Sequence, residues 1–280
     1  MKKRVLVLAL VALLSFGGIA AAQEGIYVGA EIGAETITPS NSGVLISPFV
    51  GFTSSSLIDN FYFDGRLTAN VGPLGGAGGS GLVLGINAYV DLMYTMPLGG
   101  VNGLGFGAYL GLTMDRIIGS GAIETTIALQ PRVRYEMGMP IGDFYAQLDV
   151  PVTIKNGTTL GIALWTGVFM DSGLGLELGL AGKSSSGLAS AGMTFTGGMT
   201  LNSINFRPSY DFGFLLASAQ IVMPLSGFSS KGLDIIPRAE MSLDVAGING
   251  IKFWAEIPVG RIGAGGSPSI GFTLGASFYF

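Results

Sequence analysis

The sequence predicts an all-β fold: a transmembrane antiparallel up-and-down β-barrel, with a strand count of 14 and 12 remaining open. Three observations carry this. Apolar and polar residues alternate with period two along most of the chain, which gives a strand two unlike faces. Charged residues make up 11% of the chain, against about 25% in an ordinary soluble domain; that is too little to clothe a water-facing exterior. Glycine occurs 47 times in 280 residues, and each costs a helix interior about 1 kcal/mol, so helical spans are disfavoured.

The chain opens with Lys2, Lys3 and Arg4, an apolar stretch from Val5 to Leu14, and the small residues Ala20, Ala21 and Ala22 before Gln23. That order predicts a secretory signal peptide over residues 1–22. The apolar stretch falls short of the ~20 residues of a membrane-spanning helix. Residues 23–280 are then one barrel domain, with 11 basic and 18 acidic residues and a formal charge of −7. An acidic balance without a basic run argues against nucleic acid as a partner. There is no Cys, so stability must come from something other than disulfides, and a closed hydrogen-bond ladder supplies it.

The alternation is clearest in residues 60–71, 82–96, 123–137, 174–183 and 235–245. In 123–137, Ile123, Ile127, Leu129, Val133 and Tyr135 alternate with Glu124, Thr126, Gln130, Arg132, Arg134 and Glu136. Less regular runs occupy 25–35, 44–53, 103–116, 143–155, 159–170, 188–200, 210–224, 250–259 and 268–280. The total is 14 if 201–224 holds a single strand. An even count returns both termini to the periplasmic side.

Turns are expected where the alternation breaks. On the periplasmic side these are Gly99-Gly100, Gly142-Asp143, Asp171-Ser172-Gly173 and Gly247-Ile248-Asn249-Gly250. The opposite links are 38–43, 72–81, 119–121, 156–157, 184–187, 226–232 and 260–267, all rich in Gly or Ser and short. Met96-Pro97-Leu98, Met139-Pro140-Ile141, Met223-Pro224-Leu225 and Ile257-Pro258-Val259 each read as a strand end, where a missing N–H is harmless.

The apolar stripe is expected to face lipid. About 14 strands enclose a lumen too wide for side chains to fill. The polar stripe is full of glycine, including Gly29, Gly33, Gly105, Gly107, Gly111, Gly175, Gly179, Gly271 and Gly275. Bare glycine does nothing for a soluble surface but eases wall curvature, and inward Tyr62, Tyr89, Tyr109 and Tyr279 could cover it. The charges keep to that stripe: Glu31, Asp64, Arg66, Asp91, Asp115, Glu124, Arg132, Arg134, Glu136, Asp149, Glu177, Arg238, Glu240, Asp244, Lys252 and Glu256. A lipid-facing Arg or Lys would cost about 2–4 kcal/mol near the midplane. Outward Phe52, Phe61, Tyr94, Phe106, Tyr135, Phe144, Phe253, Phe278 and Phe280 gather towards the periplasmic ends, as an interfacial girdle would.

The candidate lumen-lining residues are therefore Asp64, Arg66, Asp91, Glu124, Arg132, Arg134, Glu136, Glu177, Arg238, Glu240, Lys252 and Glu256. Arg66 is expected to pair with Asp64; Arg238 and Glu240 share one strand face, with Lys252 and Glu256 expected on the adjoining strand. Two readings stand side by side: a constriction that sorts solutes by charge, and cross-strand pairs that brace the wall. There is no His, so neither a Ser-His-Asp triad nor a His/Cys metal site can be assembled. No enzyme activity and no cofactor is expected.

The last residues alternate and end on an aromatic: Phe272, Leu274, Ala276, Phe278 and Phe280 share one stripe. This resembles the C-terminal strand of bacterial outer-membrane β-barrel proteins. The resemblance extends in pattern over residues 23–280 and implies outer-membrane localisation, a lipid surround and contact with the barrel-assembly machinery. It implies a porin-like passive channel for small polar solutes or ions. The alternative is a non-conducting structural or surface-exposed barrel, an adhesin or antigen.

Overall fold

The computed structural model describes residues 25–34, 44–54, 58–74, 83–117, 123–155, 158–180, 193–195, 199–201, 203–225, 227, 231–245, 248–265 and 268–279. The signal-peptide segment, Phe280 and the predicted links 38–43, 119–121, 156–157 and 184–187 lie outside the described residues.

The fold is a closed antiparallel ring of 14 strands. Strands β1 (Ile26–Ala34), β2 (Val44–Ser54), β3 (Phe61–Leu74), β4 (Val83–Gly99), β5 (Asn102–Ile117) and β6 (Ile123–Met139) follow one another. β7 is split into Gly142–Asp149 and Val152–Ile154 around Pro151, and β8 spans Thr158–Met170. β9 joins Leu174–Leu180 to Met193–Phe195, and β10 joins Met199–Leu201 to Ser203–Asp211. β11 (Leu215–Pro224) and β12 (Leu233–Val245) are continuous. β13 is Ile248–Glu256 with Val259–Ile262, and β14 is Ser269–Ile270 with Phe272–Tyr279. Every strand pairs with its sequence neighbours, and β1 pairs with β14 from Tyr27 opposite Tyr279 to Ala34 opposite Phe272, which closes the ring. Closure leaves no unpaired edge, the condition for strands to cross a membrane.

The predicted total of 14 is right, but the partition between 174 and 224 is not. Residues 188–200 do not form one strand. Leu180 sits opposite Leu164 and Met193 opposite Ile162, so both flanks of 181–192 lie on the same ladder and belong to β9. The chain reverses between Phe195 and Met199, which pair with each other. It reverses again at Phe212-Gly213-Phe214, between β10 and β11. That turn is framed by aromatics and lacks the Gly/Ser/Asn density that marked the others, so it was missed. Gly213 takes φ +87, and the Asp211 carboxylate accepts its N–H at 2.7 Å.

Other boundaries move by a few residues. The Gly99-Gly100 turn forms, with φ +102 and +62, values a side-chain-bearing residue rarely adopts. The predicted Gly142-Asp143 turn instead falls at Pro140-Ile141, and Gly142 opens β7. Ile248, placed in a turn, starts β13. Pro258 interrupts β13 rather than ending it, and the strand resumes through Ile262, into the predicted link 260–267. β3 likewise runs on to Leu74, into the predicted link 72–81.

The two faces of the ring differ as alternation requires. Leu67, Ile86, Leu110, Leu112, Ile127, Val133, Leu164, Leu178 and Leu274 all stand exposed on one parity. The other parity makes contacts over several strands: Phe49 on β2 lies 6.0 Å, ring to ring, from Trp254 on β13. Side chains converge only on the concave side of a curved sheet, so that parity faces the lumen. Outward Phe52 packs on Phe63 at 5.6 Å, and Tyr210 on Phe212 at 4.6 Å, towards the end that carries both termini.

Candidate functional site

The candidate residues are carried on the concave parity of β3, β4, β6, β9, β12 and β13, by the register of those strands. Asp64 and Arg66 lie on β3, Asp91 on β4, and Glu124, Arg132, Arg134 and Glu136 on β6. Glu177 lies on β9, Arg238 and Glu240 on β12, and Lys252 and Glu256 on β13. The side chains of Asp115 and Asp244 lie outside the description.

The structure does not join Arg66 to Asp64. Arg66 pairs with Glu31 two strands away, Nη2 to Oε1 at 2.8 Å, and its Nε donates to Thr68 at 3.0 Å. Asp64 instead accepts from two phenols, Tyr27 at 3.1 Å and Tyr89 at 2.8 Å. The reason is geometric. Residues at i and i+2 on one strand point the same way and can bond, as Arg66 does with Thr68, but Arg66 turns towards Thr68 and Glu31 while Tyr27 and Tyr89 occupy the Asp64 carboxylate.

Further round, Arg132 spans β5 to reach Asp91 at 3.0 Å and stands 3.6 Å from Asp149. Asp149 is 1% exposed, and both its carboxylate oxygens accept from Gln147 Nε2 at 3.0 Å. Arg134 pairs with Glu136 at 2.8 Å. Glu177 accepts from Tyr145 and pairs with Arg207 at 3.1 Å. The predicted four-residue group on β12 and β13 forms: Arg238 meets Glu240 at 3.1 Å and Glu256 at 3.5 Å, and Lys252 meets Glu240 at 2.7 Å. Glu124 pairs with Lys155 at 3.0 Å near the end opposite the termini, where both are exposed. Among the described residues, no three Asp or Glu side chains gather as a set able to hold a metal ion.

Sequence reasoning missed Arg207. It falls on β10, between the predicted runs 188–200 and 210–224, although the alternation of Asn205, Arg207 and Ser209 was available to place it. It missed the aromatic floor as well. Of the four tyrosines expected to cover glycines, only Tyr109 is found doing so among the described residues, its Cε1 2.9 Å from where a Cβ on Gly111 would stand. The glycines are covered chiefly by others: Phe49 lies on Gly29, Tyr27 on Gly51, Tyr145 on Gly167, Trp165 on Gly179 and Trp254 on Gly275.

A repeated unit emerges. Gly29 opposes Phe49, and Arg66 from the next strand stacks over the ring at 3.7 Å. Gly167 opposes Tyr145, with Arg134 over that ring at 4.2 Å. Gly275 opposes Trp254, with Arg238 at 5.9 Å. Each glycine lets a ring lie flat on the wall, and each ring supports a guanidinium whose edge pairs with a carboxylate. Cation–π contacts of this kind contribute about 0.5–2 kcal/mol. The same gap lets groups two strands apart bond, as Tyr145 does with Glu177 over Gly167.

All these contacts run along the wall rather than across the bore.

The fold is that of bacterial outer-membrane β-barrels. It is similar to the crystal structure of the Acinetobacter baumannii outer-membrane protein Omp33, with a TM-score of 0.51 and 10% identity, over 92% of this chain and 98% of that one. It is equally similar to a deletion mutant of the Pseudomonas putida monoaromatic hydrocarbon channel TodX, with a TM-score of 0.51 and 8% identity, over 93% and 91% of the two chains. Neither a family model nor a curated protein sequence matches the chain.

Proposed function

We propose that this chain is a passive, porin-like channel of a bacterial outer membrane, admitting small hydrophilic solutes or ions. One observation carries the reading: a closed ring of 14 strands turns the ionised side chains of its strands to the concave side and its large aliphatic ones outward. A ring that size encloses more space than its side chains fill. In this reading residues 1–22 direct export and are removed, and lipid surrounds the barrel. Omp33 and TodX are an outer-membrane protein and a hydrocarbon channel by name, which agrees with the location and with a conducting bore. Arg66, Arg132, Arg134 and Arg238, with their carboxylates, form the selectivity lining. No group in this lining is assigned a catalytic role.

The second reading, a non-conducting structural or surface-exposed barrel, draws on one feature: each of those arginines is paired with a carboxylate on the wall itself. Full-length protein refolded into a planar bilayer separates the two. Stepwise conductance is expected, and a silent membrane containing folded barrel refutes the channel. Replacing both Arg132 and Arg134 by Ala unmasks Asp91, Asp149 and Glu136 and is expected to shift selectivity towards cations. An unchanged reversal potential would reduce the pair to bracing.

A further inference from the structure

We propose that the pore prefers small cations and that its periplasmic mouth sets much of the preference; this rests on the channel reading above. The argument begins on the wall. Arg66, Arg132, Arg134, Arg207, Arg238 and Lys252 are each within 3.1 Å of a carboxylate oxygen, so none presents an uncompensated positive charge to a solute. Carboxylates are in excess over these cations. Asp64 has no cationic partner among the described residues and is held only by the Tyr27 and Tyr89 hydroxyls.

Among the described residues the two mouths differ in charge. At the end where β1 begins and β14 finishes, Asp59, Asp143, Asp171 and Asp211 are all exposed at or beside the turns. None of the described turn residues at that end, 58–60, 99–101, 140–141, 171–173 and 212–214, is Lys or Arg. At the other end Lys155 and Glu124 neutralise each other at 3.0 Å, and the exposed Lys231 and Arg261 face one described carboxylate, Asp234, which accepts from the Arg261 N–H at 3.0 Å, leaving a small positive excess. A ring of like charge on a low-dielectric wall focuses the field in the opening and concentrates counter-ions there. Rings of Asp or Glu select cations in this way. Inorganic monovalent cations and small protonated amines are the solutes that fit.

The test is the reversal potential of the full-length protein in a planar bilayer under a tenfold KCl gradient. Potassium is expected to permeate about threefold or more over chloride near 0.1 M, where the screening length is ~10 Å, and the ratio to fall towards one near 1 M, where it is ~3 Å. The triple variant Asp59→Asn, Asp143→Asn, Asp171→Asn is expected to lower the ratio about twofold at low salt. Asp211 is left in place because its carboxylate holds the Gly213 turn. Folding of the variant is checked by its heat-modifiable gel shift. Chloride preference, absence of preference, or a ratio untouched by the three substitutions overturns this inference and leaves the channel intact. A silent bilayer overturns the channel reading, and the cation preference falls with it.

Discussion

Replacing Gly275 by Ala probes whether the aromatic floor holds the barrel's seam. Gly275 lies on the last strand directly opposite Trp254, beside the β1–β14 closure. The nearest atoms to an added Cβ all belong to the Trp254 indole; two ring carbons would overlap it, and Nε1 would stand 2.6 Å away. Backbone is not among them, so the ring must give way. Forcing extra volume into a packed site costs about 1–3 kcal/mol. Trp buries 150–250 Å²; re-exposing a third of that, about 70 Å², costs roughly 1.7 kcal/mol at 25 cal/mol per Å². These are two views of one effect, so a loss of about 2 kcal/mol is expected. The assay is a double-mutant cycle with Trp254→Ala, read by denaturant titration and by the thermal midpoint of the gel shift. Without the indole, Gly275→Ala should become neutral or stabilise by about 0.4–1 kcal/mol, since Ala has less unfolded-state entropy to lose. If Gly275→Ala costs the same in both backgrounds, the ring does not rest on that glycine and the reasoning fails.

Two other substitutions test the orientation and the assembly signal. Leu67 is outward, 50% exposed and opposite Val50 and Ala88; Leu67→Arg is expected to lower stability in lipid by about 2–4 kcal/mol, while Asn70→Arg on the concave parity costs far less. Equal costs in a bilayer unfolding titration would reverse the assignment of faces. Removing Phe280 is expected to lower the fraction of chain recovered from cells as heat-modifiable barrel while leaving stability after refolding in vitro unchanged. Normal recovery would strip the C-terminal stripe of Phe272, Leu274, Ala276 and Phe278 of any recognition role.

Much of this architecture was legible because alternation is local. Whether Arg132 or Val133 faces the lumen follows from parity within one strand, and the structure places Asp64, Arg66, Asp91, Glu177, Glu240 and Glu256 on the parity their neighbours implied. Where the local signal was weak, the reading failed. Leu180 and Met193 lie on the same ladder, opposite Leu164 and Ile162, and period two carries no mark of such a discontinuity. The Phe212-Gly213-Phe214 turn was hidden by its aromatics, and Arg207 was lost with it.

Pairings between strands belong to a different level. Which glycine meets which ring depends on register, and register is set jointly by every hairpin and by closure of the ring. Nothing near Gly29 names Phe49 as its cover, and nothing near Trp254 names Gly275; the two rings meet only because β1 and β14 lie side by side. Arg66 takes Glu31 instead of the nearer-in-sequence Asp64 for the same reason. Sequence alone thus determined the class of fold and the face each charge occupies, since both depend on neighbours two residues away. Only the closed ring decided which glycines carry rings and that Arg66 meets Glu31 and Arg132 meets Asp91, because those contacts join residues that register and curvature bring together across strands.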